Sequence, residues 1–468
     1  MIRNLTIALL ALMTVACKVG KNYTGATLDM PLAFNQIDFS SGIEKIKVDT
    51  IVVSDTIGLQ WWTLYNDPVL DSLIQAALNY NRSAQIAAEN IIQARISLQI
   101  QKADFGPQIN AAGIAEHSTL FINQIIDANN LFIGQGSAFW EIDIWGRLRR
   151  LSEAARNEWL ASEAGYRALM MSLISEVTTT YFSLLEAREN LEIAQRNLAL
   201  RENMLDIIEQ RHARGIIPKI DVNQAQIQVA LAAGAVPQNK RREIQLQNAL
   251  SVLTGSNPTF IPTPIPLAAQ NSQIEIEIYQ PREIVRRRPD IIAAEHELVA
   301  QNARVGAAQA NRLPTLSMFG AIGFVGSNVP NFSVQNPLYQ FGLQLGGPLL
   351  YWGKLKRAVW IEESRRFQSQ YAYENAVLNA IKEIDDVLIE LKTLQEEIEI
   401  AEYRREAALS AQSMSGDRYN QGVTSYLEFL ESQRQAFEAE LALTRTRQQF
   451  LSAKMRLYKV LGGGKLTR

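Results

Sequence analysis

The second half of this chain repeats the first half at a constant offset of 207 residues. Two kinds of turn show the correspondence, because Gly215 matches Gly422 and Trp145 matches Trp352 at the same offset. No net insertion therefore separates the halves. A register held over about 200 residues indicates duplication of one unit, and it predicts a pseudo-symmetric architecture instead of a short-period solenoid.

The composition argues against several function classes. The 468 residues include 46 Lys and Arg against 48 Asp and Glu, and this balance is not that of a nucleic-acid-binding surface. The one basic run, residues 286–288, is interpreted as a solvated turn before a helix. The three histidines, His117, His212 and His296, fall in separate predicted elements, so we expect no metal site, no cofactor and no enzymatic activity.

The start of the chain has the pattern of a bacterial export signal. Residues 5–12 form an apolar run that is too short to span a membrane as a helix. Cys17 follows a small residue, as the lipidation cysteine of a bacterial lipoprotein does, although Thr14 departs from the usual aliphatic residue three positions earlier. We therefore expect a signal peptide at 1–16 and a lipid-anchored arm at 17–66.

Each half contains two segments in which apolar and polar residues alternate, which is typical of strands with one apolar face. The predicted strands lie at about 108–117, 132–143, 315–326 and 339–350. Their length suits tilted transmembrane strands. The connections, about 118–131 and 327–338, are long and rich in Asn, as expected of exposed loops.

Long helical patterns follow each pair of strands. From Gly146 a pattern without proline runs to Gly215, which corresponds to a helix of about 100 Å, and the second half repeats it up to Gly422. Apolar residues at three-and-four spacing predict coiled-coil seams. A shorter return helix follows each glycine, and Pro237 is expected to kink or break the first one. A helix at about 83–104 has the length needed to stack end to end with that return helix.

These patterns define the domain organisation and the fold class. Repeat 1 is predicted at 67–255, a linker at 256–280, repeat 2 at 281–462 and a tail at 463–468. Strands that meet lipid must close into a barrel. Four strands are too few because membrane barrels have about eight or more, whereas three chains would provide twelve. The predicted fold is mixed α and β: a 12-stranded membrane β-barrel to which three chains contribute, continued away from the membrane by a long α-helical coiled-coil barrel, which together form a conduit.

Five motifs occur in an order that resembles a known family. They are Cys17 to Tyr23, Trp61-Trp62 with Asp67-Pro68 and Leu70, Trp145-Gly146-Arg147, Arg288-Pro289-Asp290-Ile291 with Ala294-Glu295, and Arg418-Tyr419 through Gly422 to Leu427. The chain resembles the TolC-like outer-membrane efflux proteins, specifically their lipoprotein branch of the OprM/NodT type. The resemblance covers essentially the whole mature chain, with Lys21-Asn22 standing where the family has Pro-Asp.

The resemblance implies a function and a set of partners. A homotrimer with a 12-stranded β-barrel in outer-membrane lipid, a periplasmic α-helical coiled-coil barrel and an equatorial domain near the helix joins would form the channel of a tripartite efflux pump. A periplasmic adaptor would dock on it, and an inner-membrane transporter, expected to be of the RND class, would supply the energy. The protein itself would be a passive conduit for small molecules, opened at its periplasmic tip, without a cofactor other than the lipid on Cys17.

The candidate site residues lie around the second glycine turn. Met414, Asp417 and Arg418 are predicted to form the periplasmic gate, with Asp417 and Arg418 pairing between neighbouring chains to hold the tip shut. The alternative is that these two residues form ordinary exposed ion pairs, which contribute little.

The tip is also the expected docking surface for the adaptor. Its candidate residues are Arg211, Gly215, Arg418, Tyr419 and Gly422, and the two glycines provide the positive φ that a helix reversal commonly requires. Two alternatives to the efflux channel remain at this point. One is the outer-membrane duct of a type I protein-secretion exporter. The other is a structural periplasmic coiled-coil protein, which would not need the apolar strand faces.

Overall fold

The computed structural model describes residues 18–25, 61–122, 125–270, 281–326 and 337–463. The predicted signal peptide, Cys17 and its lipid, most of the predicted arm and the last five residues lie outside the described residues. So do 271–280 of the predicted linker and 327–336 of the second predicted connection.

Contacts within the chain divide it into two compact units. The first, which we call the strand unit, comprises Met1–Leu28, Ala88–Gly165 and Ile291–Ala376. The second, the hairpin unit, comprises Asp29–Ala87, Tyr166–Asp290 and Val377–Arg468. The strand unit contains the β-sheet, and the hairpin unit contains both glycine turns.

The described residues form eight α-helices and four strands. The helices are α1 (Pro68–Tyr80), α2 (Arg82–Ala103), α3 (Arg147–Ala213), α4 (Lys219–Leu253), α5 (Pro281–Arg287), α6 (Pro289–Ala310), α7 (Lys354–Asn420) and α8 (Tyr426–Val460). The strands are β1 (Gln108–Ile122), β2 (Ile125–Ile142), β3 (Thr315–Gly326) and β4 (Leu338–Gly346). Helices α2, α3 and α4 contain 22, 67 and 35 residues, and α6, α7 and α8 repeat these lengths at the offset of 207.

The four strands form one antiparallel sheet in the order β1-β2-β3-β4. The prediction of an exposed loop at 118–131 is wrong, since the β1–β2 ladder continues to the pair Ile122 and Ile125. Ile and Phe residues in this stretch favour strand pairing and outweigh its asparagines. The last strand ends at Gly346 instead of about 350, because Gly347 and Pro348, which lacks a donor, follow.

The register gives the sheet one continuous apolar face. Ala138 of β2 lies opposite Ile109 of β1 and Gly320 of β3, and Gly320 lies opposite Phe341 of β4. Residues directly opposite one another point to the same face. The further members of this face are Ala111, Gly113, Ala115, Gly134, Gly136, Trp140, Ile142, Leu316, Met318, Ile322, Tyr339, Leu343 and Leu345. The other face carries Gln108, Asn110 and Gln344 among its residues.

In the hairpin unit each long helix reverses into its return helix. The expected interruption at Pro237 is not observed, since α4 is one helix from Lys219 to Leu253. Buried side chains on both sides of the proline, Ala232 and Glu243, hold this helix against the rest of the unit. Tertiary packing therefore outweighs the single backbone hydrogen bond that proline removes.

The end of each return helix meets the start of a shorter helix, and the two joins correspond through the repeat. The Asn81 amide donates to the carbonyl of Leu253 at 2.9 Å, and the Arg288 guanidinium donates to the carbonyl of Val460 at 3.2 Å. Both pairs satisfy the last carbonyl of a helix. The interpretation of 286–288 as a solvated turn is wrong for Arg288, which is buried and also contacts Glu383 at 2.7 Å.

The described part of the linker between the repeats is fixed to the hairpin unit by Arg188. Its guanidinium donates to the carbonyl of Ile261 at 2.6 Å and to the hydroxyl of Thr263. It also pairs with Glu243 at 3.1 Å. Burial alone would raise the pKa of Glu243, but hydrogen bonds from Lys240 and Arg188 outweigh it and lower that pKa.

Candidate functional site: the helical hairpin tips

Both helical hairpins end in the same type of glycine turn. Gly215 and Gly422 have φ of 74°, a left-handed conformation that glycine adopts without a steric cost. In each turn the residue after the glycine donates back to the helix, Ile216 to the carbonyl of Arg211 and Val423 to that of Arg418, both at 3.0 Å. These are Schellman-type helix ends. The turns place both hairpin ends in the hairpin unit.

A cluster of aromatic side chains joins the two hairpin ends. Tyr419 and Phe429 stack with ring centroids 5.7 Å apart, and Tyr426 lies at the same distance from Tyr419. They pack on Ile208 and Val222 of the first hairpin. Burial raises the pKa of Tyr426 to about 12, with partial compensation by the Arg201 guanidinium. The hairpin ends are thus held together by an apolar core.

Arg211 of the first hairpin covers this core. Its guanidinium lies 5.0 Å from the centre of the Tyr419 ring, a cation–π contact. It also donates to the Tyr419 carbonyl at 3.5 Å and to the Asn420 side chain at 3.4 Å. Tyr419 itself is only 6% exposed, so its ring supports the tip from inside and does not offer an outer docking surface on this chain.

A buried polar contact joins α3 and α8 further from the glycine turns than the aromatic cluster. Arg201 of α3 donates to the side-chain oxygen of Gln433 of α8 at 2.6 Å, and both side chains are buried. Burial lowers the pKa of Arg201, and no carboxylate of the described residues pairs with it. A buried cation with a neutral partner is costly relative to the same cation in water. This contact is therefore a weak point between the hairpins.

The three predicted gate residues share one exposed face of α7. Met414, Asp417 and Arg418 are spaced three and four residues apart, so they lie on the same side of the helix. All three are exposed, whereas Ser415 and Tyr419 on another side are buried. Arg418 pairs with Glu428 of the same chain at 3.5 Å. Within the described residues, Asp417 has no cation at ion-pair distance.

Sequence reasoning missed Arg201, Gln433, Tyr426 and Phe429. The repeat itself carries the signal, because the second half departs from the first at the tip. The positions equivalent to Tyr419, Tyr426 and Phe429 are His212, Lys219 and Val222, and the position equivalent to Arg201 is Ala408. Several positions around the tip thus differ in residue type between the two repeats, which indicates that the two hairpin tips have different roles.

Two observations bear on other kinds of site. Among the described residues, no three or more His, Cys, Asp or Glu side chains come together as a metal site would require. Within the same residues, α3 is the one helix long and apolar enough to cross a membrane, but 56% of its apolar window is buried in the protein. A buried core helix satisfies the same criterion as a membrane span, so this helix is weak evidence for one.

Comparison with known proteins identifies the family. The profile described as outer membrane efflux protein matches residues 73–256 and 281–463, that is, both repeats. The chain belongs to this outer membrane efflux protein family. Among its relatives is the probable efflux pump outer membrane protein TtgC of Pseudomonas putida, 30% identical over 86% of this chain and 85% of that protein. Outer membrane protein OprJ of Pseudomonas aeruginosa is 29% identical over 97% and 95%, respectively.

A solved structure extends the comparison to the fold of this outer membrane efflux protein. The open state of the Neisseria gonorrhoeae MtrE outer membrane channel superposes with a TM-score of 0.83 and 26% identity, over 96% of this chain and 98% of that one. The predicted family, the mixed α and β channel fold with its internal repeat, the outer-membrane location and the role as an efflux channel are thereby confirmed. A secretion duct and a purely structural coiled coil are not supported by these relatives.

Proposed function

We propose that this outer membrane efflux protein works as a homotrimer and forms a passive conduit for small molecules. The observation that carries the proposal is the open sheet: its four strands have one continuous apolar face, and no other described segment pairs with the outer edge of β1 or β4. In lipid, the backbone N–H and C=O groups along an open sheet edge would have no hydrogen-bond partner, so a sheet with an apolar, membrane-facing side has to close into a barrel. Three copies supply twelve strands, enough for a closed membrane barrel.

The assembly we propose includes two partners. A periplasmic adaptor docks on the hairpin tips, and an inner-membrane transporter of the RND class supplies the energy. The tips support this assignment because Ile216, Ile220, Val423 and Leu427 are exposed apolar residues around the two turns. The protein itself has no catalytic role in this proposal.

The lipid on Cys17 is part of the same proposal. The segment that follows it is fixed beside the start of α3: Val19 donates to the carbonyl of Trp145 at 3.0 Å, and Arg150 donates to that of Gly20 at 2.6 Å. Lys18 pairs with Glu153 at 2.5 Å. Residues 18–20 are thus held close to the end of β2, and in this proposal acyl groups on the cysteine that precedes them in the sequence enter the membrane that the sheet spans.

The lipid can be tested directly. Mass measurement of the N-terminal peptide from membrane-purified protein should show acyl groups on Cys17, and Cys17→Ser should abolish them. An unmodified Cys17, or a mature chain that begins elsewhere, would contradict this part of the proposal. The channel assignment would stand in either case.

We further propose that the hairpin tips are the periplasmic gate. In a trimer, Met414, Asp417 and Arg418 of each chain recur as rings of three on the exposed face of α7. Asp417 of one copy and Arg418 of the next can pair across the axis. Opening requires each second hairpin to move away from the first, which breaks the contacts of Arg211 and Arg201. Arg201 regains water on opening, so its burial favours release.

Single-channel conductance of the purified trimer in planar bilayers tests the gate. The wild-type protein should open rarely, and Asp417→Ala or Arg418→Ala should increase the frequency and size of openings. Arg201→Met keeps the length of the side chain without its charge and should make openings rarer. Openings unchanged in all three variants would contradict the gate assignment, and a trimer without any conductance would contradict the conduit itself.

A further inference from the structure

Among the described residues, no strand pairs with the outer edge of β1 or with that of β4, so the sheet of the strand unit has two free edges there. Unpaired strand edges expose backbone donors and acceptors that readily take up another strand. The proposed homotrimer closes its barrel by joining such edges, but it does not specify how they meet. The internal repeat supplies that information, because β2 and β3 already form the equivalent pair within the chain.

The β2–β3 pair is completed by a contact just beyond the strands. Trp145, three residues after the end of β2, donates from its indole nitrogen to the carbonyl of Pro314 at 2.6 Å. Pro314 immediately precedes β3. The hydrogen bond therefore ties the end of one strand to the beginning of its neighbour, and it leaves Trp145 half-buried.

The equivalent position after β4 has no such contact with any residue that the structure describes. Trp352 corresponds to Trp145 in the repeat, yet it is 81% exposed, and Leu349 beside it is fully exposed. In the described part of the chain no group accepts a hydrogen bond from the Trp352 indole; only its carbonyl is used, by Arg357 at 2.9 Å. Pro107, which corresponds to Pro314, is exposed at the start of β1.

The backbone at Trp352 adds a second indication. Its φ is 50°, in the left-handed region that a bulky residue occupies rarely, whereas Trp145 has no positive φ. Such conformations persist where surrounding structure imposes them and are concentrated at sites with a function. A large exposed indole on a strained turn is an unfavourable arrangement for an isolated chain and a suitable one for an interface.

We propose that Trp352 donates from its indole to the carbonyl of Pro107 of the partner subunit, a second copy of this chain. This contact locks β4 against β1 of the partner in the register that β2 and β3 have within the chain. The inference rests on the proposed homotrimer and adds to it the residues and the register of the junction between copies.

The transferred register is specific. Within the chain Gly136 lies opposite Ile322, and the offset of 207 converts this pair into Leu343 opposite Ala115 of the partner subunit. In the same way Leu345 comes opposite Gly113 of the partner subunit. These residues all belong to the apolar face of the sheet, so the junction continues that face without a break. A shift by one residue would reverse the face at the junction.

The competing occupant for Trp352 is the lipid headgroup layer. Exposed tryptophans are enriched at that depth of a membrane. The pairing of free edges and the existing Trp145 contact favour the second copy, and lipid is treated as an outcome of the test.

Cysteine crosslinking of the full-length trimer in detergent tests the register. The double variant Leu343→Cys with Ala115→Cys should crosslink between copies through a short bis-maleimide and give dimers and trimers on a denaturing gel. Leu343→Cys with Ala112→Cys is the matched control, because Ala112 belongs to the other face of the sheet. Each single variant controls for crosslinks through Cys17.

The indole contact is tested by Trp352→Phe, which keeps an aromatic ring at this position and removes the donor. Loss of one hydrogen bond should weaken each junction between copies by about 2- to 10-fold, measured as trimer dissociation by analytical ultracentrifugation in detergent. Trp145→Phe is the control: it removes the contact within the chain and should leave the junction between copies closer to that of the wild type.

The outcomes separate this inference from the proposed function. A stable trimer that crosslinks equally well in the control pair, or not in the predicted pair, overturns the register. Trimer dissociation unchanged by Trp352→Phe, with a changed partition onto vesicles, assigns Trp352 to lipid and overturns the indole contact. A protein that remains monomeric before any substitution contradicts the homotrimer itself.

Discussion

The phenol of Tyr181 donates a 2.7 Å hydrogen bond to the carboxylate of Asp67 in the interior of the hairpin unit. The same oxygen accepts from the amide of Gln270 at 2.8 Å, and the other oxygen caps α1 through the backbone of Val69 at 3.0 Å. One buried carboxylate therefore connects the first helix, the long helix α3 and the linker between the repeats. Burial and the nearby Asp67 both raise the pKa of Tyr181, so the phenol remains a donor at physiological pH.

Tyr181→Phe should lower the free energy of unfolding by about 1.5–3 kcal/mol, because it removes a hydrogen bond to a charged group and leaves that group buried. Thermal unfolding followed by circular dichroism measures the change. Tyr80→Phe is the matched control, since Tyr80 is largely exposed and its loss of a hydroxyl should change stability by less than about 0.5 kcal/mol. Equal effects of the two substitutions would contradict the role of the Asp67 network.

Glycine substitutions should have graded effects. Gly422→Ala meets open space but has φ of 74°, so we expect a cost of about 1–2 kcal/mol from backbone strain alone. Gly255→Ala combines φ of 71° with a Cβ only 2.2 Å from the Tyr80 carbonyl oxygen, so its cost should be greater. Denaturant unfolding would compare them. A larger loss of stability for Gly422→Ala than for Gly255→Ala would show that the backbone around Gly255 and Tyr80 adapts to a side chain more easily than its geometry indicates.

Arg211→Ala should loosen the two hairpin tips, because it removes the cation–π contact with Tyr419 and the hydrogen bonds to the second hairpin. We expect more frequent channel openings in planar bilayers and faster amide hydrogen exchange around Gly422. Arg214→Ala, at an exposed arginine of the same turn, is the control and should change neither quantity. If Arg214→Ala has the same effect, net charge at the tip governs opening, and the contact with Tyr419 does not.

Acid should destabilise the hairpin unit through Glu243. The pKa of Glu243 is lowered in the folded protein by Lys240 and Arg188, which outweigh its burial. Its contribution to stability is therefore fully present above the ordinary pKa of about 4.5 and is lost as the pH falls through the lowered folded value. Thermal unfolding midpoints, measured from pH 7 to pH 3, should decrease once the pH falls below about 4.5.

Glu243→Gln provides the comparison for the acid effect. This variant should be less stable than the wild type near neutral pH because it loses its ion pairs, and it should lose less further stability on acidification. Parallel pH profiles for the two proteins would assign the acid sensitivity to other carboxylates.

Local and periodic signals allowed much of the fold to be predicted. Gly215 and Gly422 mark turns that need positive φ, and alternating residues mark the four strands. Competing effects explain the errors. Pro237 did not interrupt α4 because packing holds that helix, and the asparagines near 118–131 did not end β1 and β2 because strand pairing continues.

The duplicated plan of this protein and the apolar faces of its strands can be predicted from its residues, because both depend on spacing along the chain. The partners of the buried polar groups are seen only once the chain is folded. Tyr181 and Asp67 are 114 residues apart, and Arg201 and Gln433 are 232 apart. Periodicity indicates which side of a helix is buried but not which group it meets there, since that depends on how the helices pack against one another.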